Sequence, residues 1–146
     1  MTVSTAAIGK RFPAVTYAVG REKVREYARA IGETGGLHLD LDEARAAGHA
    51  DLVAPPMFAA VYCAPAMGPA LFDPDVGMDF ARMVHASQEF RWGPLVVAGD
   101  EIRTEVLVQD IRERDGRAFY VFTSTSTNQR GDIVCVGSWT NIVRGR

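Results

Sequence analysis

The sequence lacks the features of several large protein classes. No apolar run approaches the roughly 20 residues that a membrane-spanning helix needs. The opening residues, MTVSTAAIGKRF, lack the charged start and long apolar stretch of a signal peptide. Positive charge is not in excess, since 16 Lys and Arg stand against 18 Asp and Glu, whereas a nucleic-acid surface needs concentrated positive charge. We therefore expect a soluble, cytoplasmic protein with no membrane and no nucleic-acid partner.

Cysteine is scarce, because the 146 residues contain only Cys63 and Cys135. Their wide separation matches neither a disulfide framework nor the clustered ligands of a zinc site. We expect two reduced, buried thiols and no metal. Hydrophobic residues make up 47% of the chain and charged residues 23%, which favours a globular core over disorder. The length is that of one domain, so residues 1–146 are interpreted as a single domain.

The first half of the chain has the spacing of an amphipathic helix. Apolar residues recur there at intervals of three and four: Val24, Tyr27, Ala28 and Ile31. The pattern predicts a helix that ends at Gly32 and follows a short strand over residues 14–19. Gly35 and Gly36 stand together and favour a turn, so residues 33–40 are not expected to form regular helix.

A nearly uniform apolar segment follows a second short helix, predicted over residues 42–47. Residues 57–67 are apolar on almost every side, which predicts a buried helix rather than a surface helix. Pro55 and Pro56 stand at its start, where proline's missing N–H removes no helical hydrogen bond. Pro65 is expected to bend or end this helix.

The second half alternates apolar and polar residues with the period of two that β-strands have. Strands are predicted over residues 83–92, 101–113, 119–125 and 133–143. Asp115–Gly116 is a hairpin signal, and strands joined by tight turns are antiparallel. The simplest way to bury one apolar helix with such a sheet is to curl the sheet around it. The sequence therefore predicts an α+β hot-dog fold, a long antiparallel sheet curled around a central apolar helix.

The residues that carry chemistry concentrate between Gly32 and Phe58, in GETGGLHLDLDEARAAGHADLVAPPMF. This segment resembles the signature of the MaoC-like hydratases and dehydratases. That signature has a Gly, an aliphatic-His pair and an Asp, then an Ala-rich short helix and a small apolar entrance to the central helix. The matching residues are Gly32, Leu37, His38, Asp40, Ala44, Gly48, Val53, Ala54 and Met57. The later run VAGDEI, residues 97–102, resembles the Gly-Asp turn that begins a long strand in these proteins.

The resemblance implies a 3-hydroxyacyl-thioester dehydratase or (R)-specific enoyl-thioester hydratase. In the family an Asp and a His, five residues apart, hold and activate the water that adds to the double bond, because both groups exchange protons near neutral pH. Glu33 and His38 stand at these positions and are the catalytic candidates. The implied substrate is an acyl-CoA or acyl-carrier-protein thioester. The implied partner is a second hot-dog, in a homodimer or heterodimer, and no cofactor is required.

Five further residues are candidates for substrate binding: Pro56, Met57, Phe58, Tyr62 and His85. The first four lie at the entrance of the apolar helix. The fifth lies on a strand that is expected to line the groove beside that helix. All except Pro56 also fit a purely structural role in the core. For the catalytic pair, the alternatives are a loop histidine bonded in the core and a solvated glutamate.

Three departures from the family pattern favour a second interpretation. Glu33 replaces Asp, and Gly35–Gly36 replaces Asn-Pro. Pro56 stands in register with the Gly whose N–H binds the thioester oxygen, and proline has no N–H. The A-P-P-x-F entrance looks like that of the substrate-binding halves of two-part dehydratases, although those halves usually lack the His. The alternative is a non-catalytic acyl-binding subunit of a heteromeric dehydratase, with a hot-dog thioesterase as a third interpretation.

Overall fold

Residues 2–145, which the computed structural model describes, contain five β-strands and four α-helices. The strands are β1 Val15–Ala18, β2 Met83–Trp92, β3 Glu101–Arg114, β4 Arg117–Thr127 and β5 Ile133–Arg144. The helices are α1 Arg21–Ala30, α2 Gly36–Leu39, α3 Leu41–Ala46 and α4 Ala59–Leu71. Single 3-10 turns, Pro56–Phe58 and Phe80–Arg82, lead into α4 and β2.

The strands form one antiparallel sheet in the order β1-β3-β4-β5-β2. The β3–β4 hairpin turns at Asp115 and Gly116, whose φ angles of 50° and 69° are both positive, as a two-residue hairpin turn requires. The helix α4 packs chiefly against β3. An antiparallel sheet with one long central helix is the α+β hot-dog fold that the sequence predicted.

The core consists of two clusters that meet along α4. Ala66 and Met67 pack with one cluster, against residues of β3 and β4. Tyr62 and Cys63 pack with the other, which also contains Phe58 and residues of α1 and the segments before β3. Phe58 is fully buried, and its ring makes edge contacts with Tyr17 and Tyr27. Within residues 2–145, no helix combines the length and the apolar composition that crossing a bilayer requires.

One expectation was wrong at the paired glycines, where the chain forms a helical turn instead of a non-helical loop. Gly35 is extended, with φ −67° and ψ 133°, and acts as the N-cap of α2. The turn is closed by hydrogen bonds from the His38 N–H to the Gly35 carbonyl, 3.2 Å, and from the Asp40 N–H to the Gly36 carbonyl, 2.8 Å. Tertiary contacts thus override the low helix propensity of glycine.

Of the two alternatives expected at Pro65, a bend or an end of the helix, the second is wrong, because α4 continues to Leu71 and also contains Pro69. Proline leaves one carbonyl per residue without its helical N–H partner. Pro65 and Pro69 are both exposed and lie four residues apart, so they share a face that water reaches. With Ala64 they form an exposed apolar stripe, so α4 is buried on one side only.

The Phe58 ring should be a main stabilising element of the helix entrance. We expect Phe58→Ala to lower the free energy of unfolding by about 3 to 5 kcal/mol, because it leaves a cavity among three tyrosine rings. Urea denaturation measures the change. Phe72→Ala is the matched control, since that ring is 64% exposed and should contribute about 1 kcal/mol or less. Equal losses in the two variants would contradict this description of the core.

Candidate active site

Glu33 and His38, the two catalytic candidates, face each other at α2. Glu33 Oε2 lies 3.4 Å from His38 Nε2. The other ring nitrogen, Nδ1, lies 2.6 Å from the carbonyl oxygen of Val53. Because a carbonyl only accepts hydrogen bonds, Nδ1 carries a proton and donates it. In the neutral ring Nε2 is therefore left with a free lone pair on the side of the carboxylate.

The peptide group of Val53 also holds the backbone of α2. Its N–H donates to the Leu37 carbonyl at 2.8 Å, one residue before His38. Val53 itself is anchored to the segment before β3 by an antiparallel bridge to Val97. On the other side, Arg25 of α1 donates from Nε to the Leu39 carbonyl at 3.1 Å. One hydrogen bond thus holds the imidazole directly, and two more hold the backbone on either side of His38.

Solvent reaches the two side chains unequally. The His38 side chain is 16% exposed, whereas that of Glu33 is 43% exposed. A water molecule can therefore approach from the Glu33 side and come within hydrogen-bond distance of both Oε2 and Nε2. Such a water would donate one hydrogen to each acceptor and present its oxygen to a substrate.

An apolar cavity of about 300 Å³ lies beside the start of α4. Its lining includes Ala54, Pro56, Tyr62, Trp92, Leu95 and Val134. Glu33 and His38 do not line it, but Ala54 directly follows Val53, whose carbonyl binds the imidazole. The segment of Val53 and Ala54 thus contacts His38 through one residue and lines the cavity through the next.

The end of β2 closes this cavity. Trp92 donates from its indole Nε1 to the Pro56 carbonyl at 2.9 Å and so ties β2 to the helix entrance. Gly93 allows the close approach to β5 that follows, because a Cβ there would lie 2.2 Å from the Ile133 carbonyl oxygen. Trp92 lines the cavity and is half exposed, so part of the side chain faces solvent.

Tyr62, which lines the cavity, and the two buried cysteines have pKa values raised by burial. Burial raises the pKa of the Tyr62 phenol well above its ordinary value, and burial raises the pKa of the Cys135 thiol, which bonds to Tyr62, to about 11. Burial also raises the pKa of Cys63. Both cysteines are buried and unpaired, which confirms the prediction of two reduced core thiols. Neither thiol has the low pKa of a catalytic nucleophile.

Of the five residues predicted to bind substrate, two line the cavity and three do not. Pro56 and Tyr62 line the cavity, whereas Met57 is 46% exposed outside it. Phe58 has no exposed surface, so its contacts belong to the core and not to the cavity. His85 lies on β2 away from the cavity, with Nδ1 3.2 Å from Asn141 Oδ1.

Two residues beside the site were absent from the sequence-based predictions. Trp92 closes the cavity, and Gln88 presents a buried amide on the same strand. The alternating pattern of residues 83–92 gave no signal for either residue, because regular alternation puts both on the face opposite to His85, and only the bulge between His85 and Ser87 reverses this. Among residues 2–145, no cluster of three or more His, Cys, Asp or Glu side chains is arranged to hold a metal ion.

Comparison with known proteins agrees with the fold and with the predicted family. A family model described as FAS1-like, dehydratase domain region, matches residues 6–136. A UPF0336 protein of Saccharopolyspora erythraea is 40% identical over 146 residues, which is 99% of this chain and 94% of that protein. These matches define a dehydratase-type hot-dog.

Two solved structures extend the comparison. A MaoC-like dehydratase has 30% sequence identity and a TM-score of 0.86 over 96% of this chain, which spans only 43% of that longer protein. The C-terminally truncated HadBC (3R-hydroxyacyl-ACP dehydratase) complex of Mycobacterium tuberculosis has 26% identity and a TM-score of 0.80, over 93% of this chain and 96% of that one. The chain belongs to the FAS1-like dehydratase domain family, and the resemblance to MaoC-like proteins is confirmed.

Proposed function

We propose that this chain is a 3-hydroxyacyl-thioester dehydratase, which in reverse is an (R)-specific enoyl-thioester hydratase. The observation that carries the proposal is the Glu33–His38 pair. A carboxylate lies 3.4 Å from an imidazole nitrogen whose partner nitrogen is tied to a backbone carbonyl. Such a pair holds a water by two hydrogen bonds and exchanges protons with it near neutral pH.

In the hydration direction, the water held by the pair attacks the β-carbon of a trans-2-enoyl thioester. One of the two side chains takes the proton that the water loses. The double-bond electrons move toward the thioester, and the resulting enolate takes a proton back from the pair at its α-carbon. The sum is H₂O added across C=C, so no cofactor is consumed. Val53 keeps the imidazole in the tautomer that accepts from water.

The thioester oxygen needs a hydrogen-bond donor as it gains charge. Pro56 has none, but the next N–H, that of Met57, has no hydrogen-bond partner among residues 2–145. It belongs to the turn before α4, where backbone N–H groups lack helical acceptors. We assign Met57 N–H as the donor, and the apolar cavity beside it, with Pro56 and Tyr62, as the place for the acyl chain.

A second hot-dog subunit completes the proposal. The ten residues of β2 form a free edge of the sheet, and unpaired edges invite pairing with another strand. The exposed apolar stripe of α4, Ala64, Pro65 and Pro69, also lacks a cover within this chain. We infer a pair of hot-dogs joined at β2, in a homodimer or heterodimer, that acts on a thioester of CoA or of an acyl-carrier protein in the cytoplasm.

One observation favours the alternative of a non-catalytic acyl-binding subunit. The cavity wall is apolar, and neither catalytic candidate lines it. With Pro56 in the donor position, the chain would hold the acyl group while a companion hot-dog performs the chemistry. HadBC, a similar structure, is itself a 3R-hydroxyacyl-ACP dehydratase complex.

His38→Ala should lower kcat for hydration of crotonyl-CoA by about a hundredfold or more, since it removes a general acid–base group. Glu33→Gln should have a comparable effect, because it keeps the side-chain size and removes the proton acceptor. Loss of the enoyl absorbance measures the rate, and thermal unfolding checks that both variants fold. His49→Ala, which removes a histidine outside the pair, should leave the rate unchanged. Full activity in His38→Ala would remove this residue from the mechanism.

Pro56→Gly should raise the hydration rate of the isolated chain. Removing one oxyanion donor typically costs a hundred- to a thousandfold in rate, so a second N–H at position 56, beside that of Met57, should give an increase of up to about a hundredfold. Pro56→Ala supplies the same N–H without the backbone freedom of glycine and should show the same direction of change. An unchanged rate in both variants would contradict the prediction and show that the Met57 N–H, or another donor, already suffices.

The chain should sediment at micromolar concentration as a pair of hot-dogs. The expected species has twice the mass of one chain, or is a one-to-one complex when a companion hot-dog is present. Pairing covers the β2 edge, so its amide protons should exchange as slowly as those of β4, which is paired on both sides. A stable monomer whose β2 amides exchange rapidly would contradict the inference.

A further inference from the structure

The amide of Gln88 is buried without a partner. Among residues 2–145, neither its Nε2 nor its Oε1 makes a hydrogen bond, and both atoms are shielded from solvent. Leaving a buried donor or acceptor unpaired destabilises the folded state, so such groups are rare and call for an explanation. An apolar side chain at this position would avoid that cost. The amide is therefore matched to a group that this chain does not contain.

A β-bulge sets the direction of this side chain. The pairing of β2 with β5 shifts register between His85 and Ser87. Residues three apart in a regular strand point to opposite faces, but the extra residue in the bulge puts His85 and Gln88 on the same face. Their cross-strand neighbours are Asn141 and Trp139. Bulges often re-aim side chains beside active sites.

The polar neighbours of Gln88 form hydrogen bonds with other groups. The Trp139 indole donates to Ser124 Oγ at 2.8 Å, so it has no N–H left for the amide. The indole is held in this position because Gly137 leaves room for it, since a Cβ there would lie 2.7 Å from Trp139 Nε1. His85 bonds Asn141 instead of Gln88. The neighbouring polar groups are thus held by other partners, and they offer the amide no hydrogen bond.

The same face of β2 leads directly to the acyl cavity. Phe90 and Trp92 follow Gln88 at alternate positions, and the Phe90 ring packs edge-on against Trp139, with 5.5 Å between ring centroids. Trp92 lines the cavity. Gln88 lies four residues from Trp92, about 13 Å along the strand. The face is therefore aromatic next to the cavity and polar further on, at Gln88 and His85.

We propose that Gln88 is a specificity-determining residue that binds a hydroxyl group carried on the substrate's acyl chain, beyond the part held in the apolar cavity. A hydroxyl both donates and accepts, as the two vacant amide atoms require. The inference rests on the proposed function for its thioester, but it concerns binding and not the hydration step. It assigns the site to oxygenated acyl thioesters in preference to plain fatty acyl thioesters.

Binding of saturated thioesters tests this without any chemistry, because they have no double bond to hydrate. Dodecanoyl-CoA is compared with its 8-, 10- and 12-hydroxy forms by calorimetric titration against the protein as isolated. At one hydroxyl position the wild type should bind about tenfold more tightly than it binds the plain chain, which is the scale of one well-paired buried hydrogen bond. Gln88→Leu should abolish that preference and leave the affinity for dodecanoyl-CoA within about twofold.

Unfolding of the free protein provides the second readout. Gln88→Leu and Gln88→Met should each raise Tm, because they remove unsatisfied buried atoms while filling the same space. Ser87→Ala, at the adjacent outward-facing position, is the control and should change neither Tm nor the preference. A residue kept at a cost in stability and required for ligand discrimination has a binding role.

Three results would overturn the proposal. They are equal wild-type affinity for all the probes, a lower Tm in both Gln88 variants, and a change of oligomeric state in Gln88→Leu, which would assign the amide to a second copy of the chain. The proposed function fails separately. If the wild type prefers a hydroxylated probe but does not hydrate crotonyl-CoA, the hydratase assignment falls and the role of Gln88 stands. If the chain hydrates crotonyl-CoA but does not prefer a hydroxylated probe, the role of Gln88 falls and the hydratase assignment stands.

Discussion

The candidate site depends on the hydrogen bonds made by the backbone of Val53. Its carbonyl accepts from His38 Nδ1, its N–H donates to the Leu37 carbonyl, and its bridge to Val97 anchors both contacts to the segment before β3. One residue further on, Ala54 is part of the cavity wall. A single extended segment thus orients the imidazole and bounds the space proposed for the acyl chain. The segment therefore fixes the position of His38 relative to the residues that precede β3.

Much of the fold was predictable because its signals are local. The alternation from Met83 onward and the Asp115–Gly116 turn specify antiparallel strands, and the Asp40–Glu43 segment specifies the start of α3, where Asp40 caps two backbone N–H groups. The turn at α2 and the passage of α4 through Pro65 were not predictable in this way. At α2, tertiary contacts override a local preference, whereas at Pro65 the prolines lie on an exposed face where water reaches the carbonyls left without helical partners.

The site was predictable in part for the same reason. The resemblance identified Glu33 and His38 by their spacing, and the structure places them 3.4 Å apart. Their separation from the cavity depends on tertiary packing, which a spacing pattern does not contain. Gln88 could not be singled out, because its inward direction depends on a one-residue bulge between His85 and Ser87. A register shift of that kind inverts the face of every residue that follows it.

The Glu33–His38 pair favours a catalytic subunit, whereas the Pro56 entrance favours an acyl-binding subunit. The pair has the geometry of a proton-exchanging site, whereas the entrance lacks the backbone donor at position 56 and the adjoining cavity is apolar. Both features fit one protein if the pair works with the Met57 N–H, at a rate limited by how well that donor reaches the thioester oxygen. Pairing with a second hot-dog at β2 is the additional element that can complete the site.

A crystal structure of the protein with a bound, slowly reacting enoyl-CoA analogue tests this account most directly. The account predicts that the β-carbon lies next to a water held by both Glu33 and His38, that the thioester oxygen accepts from the Met57 N–H, and that the acyl chain runs into the cavity lined by Tyr62 and Trp92. A thioester bound with its β-carbon remote from His38, beside the catalytic residues of a companion subunit, would contradict it and establish the acyl-binding role.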